Sequence, residues 1–158
     1  MTSLEETVIC FLKEHGLKDI PHEGLSKDTL ETIYAFAYGF YESGNYAKAS
    51  RFFQFLTDYN PNNGKYWKGL GAAYQMLKSQ EKAVKCYAQA ALLDENDPYP
   101  HWHAAECFWA LKNTKLTSQA LNSSEATAKR NPKRFHALLE KLQLLKSFDK
   151  KKKTITNK

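Results

Sequence analysis

Apolar residues recur through most of this chain at the three-and-four spacing of helices, interrupted by short polar stretches rich in glycine, proline and asparagine. Leu4, Val8, Phe11, Leu12 and His15 form one stripe, which predicts a short first helix over residues 4–15 with Gly16 as its C-cap. Leu17–Leu25, with Pro21 and Gly24, reads as a loop. Ser26 or Asp28 can cap the next helix, and Asp28 and Glu31 suit the positive end of its dipole. Near the other end, Phe135, Leu138, Leu139, Leu142 and Leu145 share a face, which predicts a last helix over residues 133–148.

Between these ends the pattern repeats. Residues 67–74 read W-x2-L-G-x2-Y through Trp67, Leu70, Gly71 and Tyr74, and Ala83-x3-Tyr87 follows in phase. That is the signature of the 34-residue tetratricopeptide repeat, a pair of antiparallel helices that needs neighbours of its own kind to bury its apolar faces. One repeat earlier, Ile33, Phe36, Ala37 and Phe40 take the same places, Gly44 and Tyr46 make the turn, and Ala49 and Phe53 hold the second helix before Pro61. One repeat later stand His101, Ala104, Ala105 and Phe108. If Pro132 ends this third unit as Pro61 ends the first, Ala120, Ser124 and Thr127 fall at the second-helix positions. That count implies about three extra residues near Lys112–Thr117. The expected organisation is all-α: an N-terminal helix and linker over 1–24, three repeats over 25–132 (about 30–63, 64–97 and 98–132), a capping helix over 133–148, and a disordered lysine-rich tail over 149–158.

Charge alters this picture less than its total suggests. The net charge is +6, but residues 149–158 hold five lysines and one aspartate and supply +4 of it. The body is close to neutral, which argues against nucleic-acid binding, and so short a basic run is read as a solvated end rather than a membrane anchor. Cys10, Cys86 and Cys107 are odd in number and widely spaced, as suits a reducing cytosol. The acidic start (Glu5, Glu6) and the short apolar run Val8–Leu12 predict neither a signal peptide nor a membrane span.

Candidate chemistry is sparse. The chain has no Walker loop, G-x-S-x-G, H-E-x-x-H or dinucleotide fingerprint, so neither an enzyme nor a bound cofactor is expected. His103 and Cys107 lie four apart on a helix face, as metal ligands can, but no second pair matches them and packing accounts for both; no metal is expected.

Binding is the better supported role. The first helices of stacked repeats line a concave surface. With the core positions turned inward, the residues left to face that surface are Tyr34, Tyr38 and Tyr41 in the first repeat. The second supplies Lys65, Lys68, Ala72 and Gln75, and the third Tyr99, Trp102, Glu106 and Trp109. Rings that offer wide contact at low entropy cost, with lysines and hydroxyls beside them, suit an extended peptide; the same rings could instead pack against the N-terminal helix or a twin subunit. The stripe Leu4, Val8, Phe11 and Leu12 fits either packing on the first repeat or dimerisation.

Leu25-Ser-Lys-Asp-Thr-Leu-Glu-Thr-Ile-Tyr34, Tyr41-Glu-Ser-Gly-Asn-Tyr-Ala-Lys-Ala49 and Tyr99-Pro-His-Trp-His-Ala-Ala-Glu-Cys107 together resemble the repeat domain of class II type III secretion chaperones, the SycD/LcrH-like chaperones of translocators. The resemblance covers residues from about 4 to 148. It implies a bacterial cytoplasmic chaperone without ATPase activity that holds a P-x-L-x-x-P-like segment of a hydrophobic translocator in its concave groove before secretion. It also implies groove aromatics at Tyr34, Tyr38 and Tyr41 and a possible homodimer through the N-terminal region, without direct membrane or nucleic-acid binding. Two rivals make different demands. A general repeat adaptor for acidic C-termini needs Lys, Arg and Asn where the first repeat offers tyrosines, and an RNA-binding helical repeat needs basic residues along the whole groove.

Overall fold

The computed structural model describes residues 3–16 and 24–156, with side chains through residue 148. Most of the expected linker Leu17–Leu25 and the side chains of the tail therefore lie outside the described residues. Among these residues there are eight helices and no strand: α1 (Ser3–Glu14), α2 (Lys27–Glu42), α3 (Tyr46–Tyr59), α4 (Gly64–Met76), α5 (Gln80–Leu93), α6 (Tyr99–Ala110), α7 (Thr114–Ala128) and α8 (His136–Thr156). The chain forms two compact units, Met1–Leu93 and Asp94–Lys158, so the boundary falls between the second helix pair and the third.

The helix ends explain the period. Gly44, Lys78 and Lys112 all adopt positive φ (80°, 63° and 59°), each closing the first helix of a pair. The next amide in each turn donates back to the last helical turn: Asn45 N to Phe40 O (2.8 Å), Ser79 N to Tyr74 O (2.9 Å) and Asn113 N to Phe108 O (2.9 Å). These are three Schellman turns, each satisfying carbonyls a helix end would otherwise leave open. The second helix then restarts at once, with Asn45 Oδ1 accepting from Lys48 N (3.2 Å) and Asn113 Oδ1 from Leu116 N (3.0 Å).

This spacing corrects the sequence reading of the third repeat. No residues are inserted near Lys112–Thr117: α3, α5 and α7 begin at Tyr46, Gln80 and Thr114, a constant 34 apart. Thr117 is buried where Ala49 and Ala83 stand in the earlier pairs, and Ser124 where Leu56 and Ala90 stand. The surplus lies after α7, in the turn that leads to α8. Pro132 belongs to that longer turn and is not the counterpart of Pro61.

In the first unit the core runs from α1 to α5. Val8 and Leu12 of α1 are fully buried with Ile33, Ala37, Ala49, Phe52, Phe53 and Leu56. Phe11 sets its ring edge-to-face against Phe36 (5.1 Å), Phe40 (5.5 Å) and Phe52 (5.1 Å). The alternative of intramolecular packing is thus the one realised for the N-terminal stripe. Val8 and Leu12 are spent within the chain, while Leu4 and Phe11 pack against the same cluster and remain partly exposed. One stripe fits one partner, and α2 and α3 supply it. Two glycines of α4 permit close approach: a Cβ on Gly69 would lie 2.3 Å from the Phe53 ring, and one on Gly71 would lie 2.9 Å from the Tyr87 ring. Trp67 bridges its own helix to the preceding turn through Nε1 donating to Pro61 O (2.7 Å).

The second unit is built from less apolar material. Ala128, Phe135, Leu138 and Leu142 are buried together, with Trp102, Leu121 and Leu139 packed against them. Ser124, with no exposed surface, donates from Oγ to Pro98 O (3.0 Å), and Arg130 donates to Glu95 O (3.1 Å), so α7 fastens the connection that leads into α6. Glu125 accepts from Lys146 of α8 and from Lys129 (2.9 Å). Leu145, placed in sequence on the capping face, is exposed, whereas Phe135, Leu138 and Leu142 are not. The last helix continues past residue 148 to Thr156, consistent with the good helix propensity of lysine in Lys150–Lys153.

Candidate functional site

In the first unit, α2 and α4 bring part of the expected binding set together. Tyr34 is half-buried, its ring edge-on to Phe53 (5.8 Å) and tilted against Tyr66 (5.8 Å), with Tyr38 stacked beside it (6.4 Å). The Lys65 ammonium sits 5.8 Å over the Tyr34 ring, and Lys68 is close enough to act on the Tyr34 hydroxyl electrostatically. Burial pushes the Tyr34 phenol above its ordinary value, with Tyr38 adding to the effect and Lys68 opposing it. Tyr66 is likewise raised, first by burial. Both phenols are thus neutral at any physiological pH; Tyr66 is buried with its hydroxyl engaged by Asn63, which leaves the half-buried Tyr34 as the donor for a peptide carbonyl.

The rings divide into floor and rim. Phe53 and Tyr66 are buried, Tyr34 rests on them, and Tyr38 is 49% exposed. Tyr38 is the ring with most surface left for a ligand, whereas Tyr34 is shared between core and site. Tyr66 was missed in sequence because the W-x2-L-G-x2-Y frame draws attention to Trp67. Its spacing with Leu70 and Ala73, both buried, was the available signal.

The other expected residues are distributed differently. Tyr41 turns to Tyr46 at the end of α2, with ring centres 5.4 Å apart. Gln75 accepts from the Tyr87 hydroxyl (2.8 Å), which ties α4 to α5, and Ala72, one turn earlier in α4, is half-buried. In the second unit Trp102 packs on the cluster of Ala128, Phe135, Leu138 and Leu142 and donates from Nε1 to Glu106 Oε1 (3.1 Å). The other carboxylate oxygen of Glu106 meets His103 Nδ1 at 2.8 Å. Tyr99 stacks on His103 (6.4 Å) and sets its edge against Phe135 (6.1 Å). Trp109, in the last turn of α6, is 67% exposed. Glu106 therefore fixes two neighbouring rings, and Trp109 is the freest aromatic of this helix.

Cys107 is fully buried and its thiol is pushed up to about 12 by that burial, so at neutral pH it is a small hydrophobe and not a thiolate ligand beside His103. Burial lowers His101, against the pull of Asp97, which favours the neutral ring. This arrangement offers ring faces, ammonium groups and neutral hydroxyls: the means to hold a chain, without a nucleophile paired to a base.

Residues 30–63 and 65–97 match the family model of the tetratricopeptide repeat. Low calcium response locus protein H of Yersinia pestis is 31% identical over 147 residues, which cover 88% of this chain and 86% of that protein. PcrH of Pseudomonas aeruginosa, solved in complex with the chaperone binding region of PopB, superposes with a TM-score of 0.73 at 35% identity, covering 77% of this chain and 97% of that one. The type III secretion translocator chaperone SycD of Yersinia enterocolitica gives a TM-score of 0.71 at 28% identity, covering 77% and 90%. A shared helix-pair fold, with identity that extends over most of both chains, is more than the repeat motif alone produces. The chain belongs to the SycD/LcrH-like class II chaperones of type III secretion.

Proposed function

We propose that this chain is a chaperone of the bacterial cytosol that binds and stabilises a hydrophobic translocator before secretion, by holding an extended segment of it against the inner helices of its repeats. The observation that carries this reading is the cluster on α2 and α4, where Tyr38 stands exposed beside Tyr34, over a floor of Phe53 and Tyr66 and flanked by Lys65 and Lys68. PcrH, bound to the chaperone binding region of PopB, supports the same use of the fold. A membrane-inserting protein carries apolar segments that would aggregate in water, and covering one of them with rings prevents this by contact alone. Tyrosine faces bury the apolar side chains of the segment, while phenols and ammonium groups satisfy its carbonyls, so no bond needs to be made or broken. The chain acts without catalysis, cofactor or metal. No described helix is long and apolar enough to cross a membrane, which suits work in the cytosol.

Tyr38→Ala weakens binding of a synthetic P-x-L-x-x-P translocator peptide about tenfold, which is about 1.4 kcal/mol, with the melting temperature unchanged, as read by fluorescence anisotropy and circular dichroism. Unchanged affinity would remove the tyrosine face from the site. Co-purification from the native bacterium with the bound protein identified by mass tests the class of cargo, and a cytosolic enzyme or an RNA in its place would overturn the reading.

A further inference from the structure

A second recess lies in the first unit, and none of its lining residues belongs to the tyrosine face. It is a cleft of about 740 Å³ between α1 and the start of α3. One wall is acidic: Glu6 and Glu14, with Cys10 between them, stand four residues apart along α1, a straight row about 12 Å long. The other wall is basic, formed by Lys48 and Arg51 in the first turns of α3, where the helix dipole adds positive potential. The floor is aromatic, with Phe11 and Phe52 edge-to-face at 5.1 Å. The Lys48 ammonium is held above it, 4.7 Å from the Phe11 ring and 4.6 Å from the Phe40 ring. Among the described residues no ion pair joins Glu6 or Glu14 to Lys48 or Arg51; Glu14 accepts a hydrogen bond from Cys10 Sγ on its own helix (3.7 Å). Opposite charges thus face each other across an apolar floor without neutralising one another.

We propose that this cleft docks a short amphipathic helix of a partner protein, one that presents a bulky apolar side chain between a cationic row and an anionic row. The apolar side chain meets the half-buried Phe11 ring, which rests on the buried Phe52, the cationic row meets Glu6 and Glu14, and the anionic row meets Lys48 and Arg51. Two turns of helix about 10 Å across occupy about 850 Å³, so the cleft takes most of the girth of such a segment. The length of the acidic row matches two turns as well. A second copy of this chain fits less well, because its own α1 carries Glu5, Glu6 and Glu14 against Lys13 alone and would set like charges against the acidic wall.

The chain supplies its own reporter. Cys10 is exposed in the cleft, whereas Cys86 and Cys107 are buried, their thiols raised to about 11 and about 12, so a maleimide at neutral pH labels Cys10 selectively. The probe is a fluorescein-labelled, alanine-based helical peptide with a central phenylalanine, lysines along one flank and glutamates along the other, measured by anisotropy with the full chain. It binds at least tenfold tighter than the same peptide with lysines on both flanks or glutamates on both. Lys48→Glu with Arg51→Glu, with helicity checked by circular dichroism, inverts the preference towards the all-lysine peptide. A bulky maleimide on Cys10 abolishes binding, and an excess of P-x-L-x-x-P peptide does not compete. Equal binding of the three peptides, insensitivity to the Cys10 label, or loss of a dimer on labelling in size-exclusion chromatography with light scattering would each overturn the proposal.

Discussion

In the first unit the second helices of the pairs each bury a ring at the middle repeat position, Phe53 in α3 and Tyr87 in α5, whereas α7 in the second unit has the partly buried Leu121 there, between the buried hydroxyls of Thr117 and Ser124. The comparison can be made position by position, because the turns keep one period. Where α3 buries Ala49, Phe53 and Leu56, α5 places Ala83, Tyr87 and Ala90, and α7 places Thr117, Leu121 and Ser124. The polar side chains of α7 are not left open. Thr117 donates from Oγ1 to Asn113 O (2.8 Å) and Ser124 to Pro98 O (3.0 Å), so each is buried with a partner. The period therefore resides in the Schellman turns at Gly44, Lys78 and Lys112, while the helix faces between them vary in chemistry.

The largest test of this contrast removes a ring. Phe52→Ala, at the centre of the contacts among α1, α2 and α3, costs about 4 kcal/mol in urea unfolding. Gly69→Ala drives a methyl group into the Phe53 ring and costs about 3 kcal/mol by overpacking. In the second unit, Ser124→Ala removes the buried hydroxyl donor that Pro98 O has besides Trp102 N, at a cost of about 1 kcal/mol. A loss there as large as that at Phe52 would show that the hydroxyl network, and not apolar burial, dominates the second unit. Lys78→Gly and Lys112→Gly each relieve a left-handed residue and stabilise by about 1 kcal/mol; a gain at only one of them would deny the turns their equivalence.

The smallest effect is that of pH on α8. Hydrogen bonds from Lys146 and Lys129 hold the Glu125 carboxyl below its ordinary value. Because the folded value is the lower one, the stabilisation is present above the ordinary carboxylate range and is lost as pH falls through the depressed value. Amide exchange in the turns of α8 around Lys146 quickens over that acidic window, and Glu125→Gln abolishes the dependence.

What could be read in sequence followed from where apolar signal is strong. Trp67, Leu70, Gly71 and Tyr74 gave both the helix pair and its period, and every expected first helix is present. The third pair was misread because Thr117 looks like a surface residue, so Ala120 was given the place of Ala83, although Ser124 and Thr127, both expected on the repeat face, are buried; the burial of Thr117 comes with a hydrogen bond to Asn113 O that spacing does not reveal. A proline at a helix end then appeared the better landmark, and Pro132 is not the counterpart of Pro61. In the candidate site, Tyr34, Tyr38, Lys65 and Lys68 were legible as one stripe on each of two helices. That Glu106 holds Trp102 and His103, and that Tyr41 turns to Tyr46, depends on side-chain directions that sequence leaves open.

The bonds from Ser124 to Pro98 O and from Arg130 to Glu95 O have a consequence for synthesis. The connection before α6 is fastened by residues translated 26 and 35 positions later. In the first unit α4 already has α3 beside it when it leaves the ribosome, and α5 completes its pair at once. A nascent chain that ends between α6 and α7 leaves the Glu95 carbonyl to water and the Pro98 carbonyl with Trp102 N alone (3.2 Å), so the second unit matures only after Arg130 has emerged.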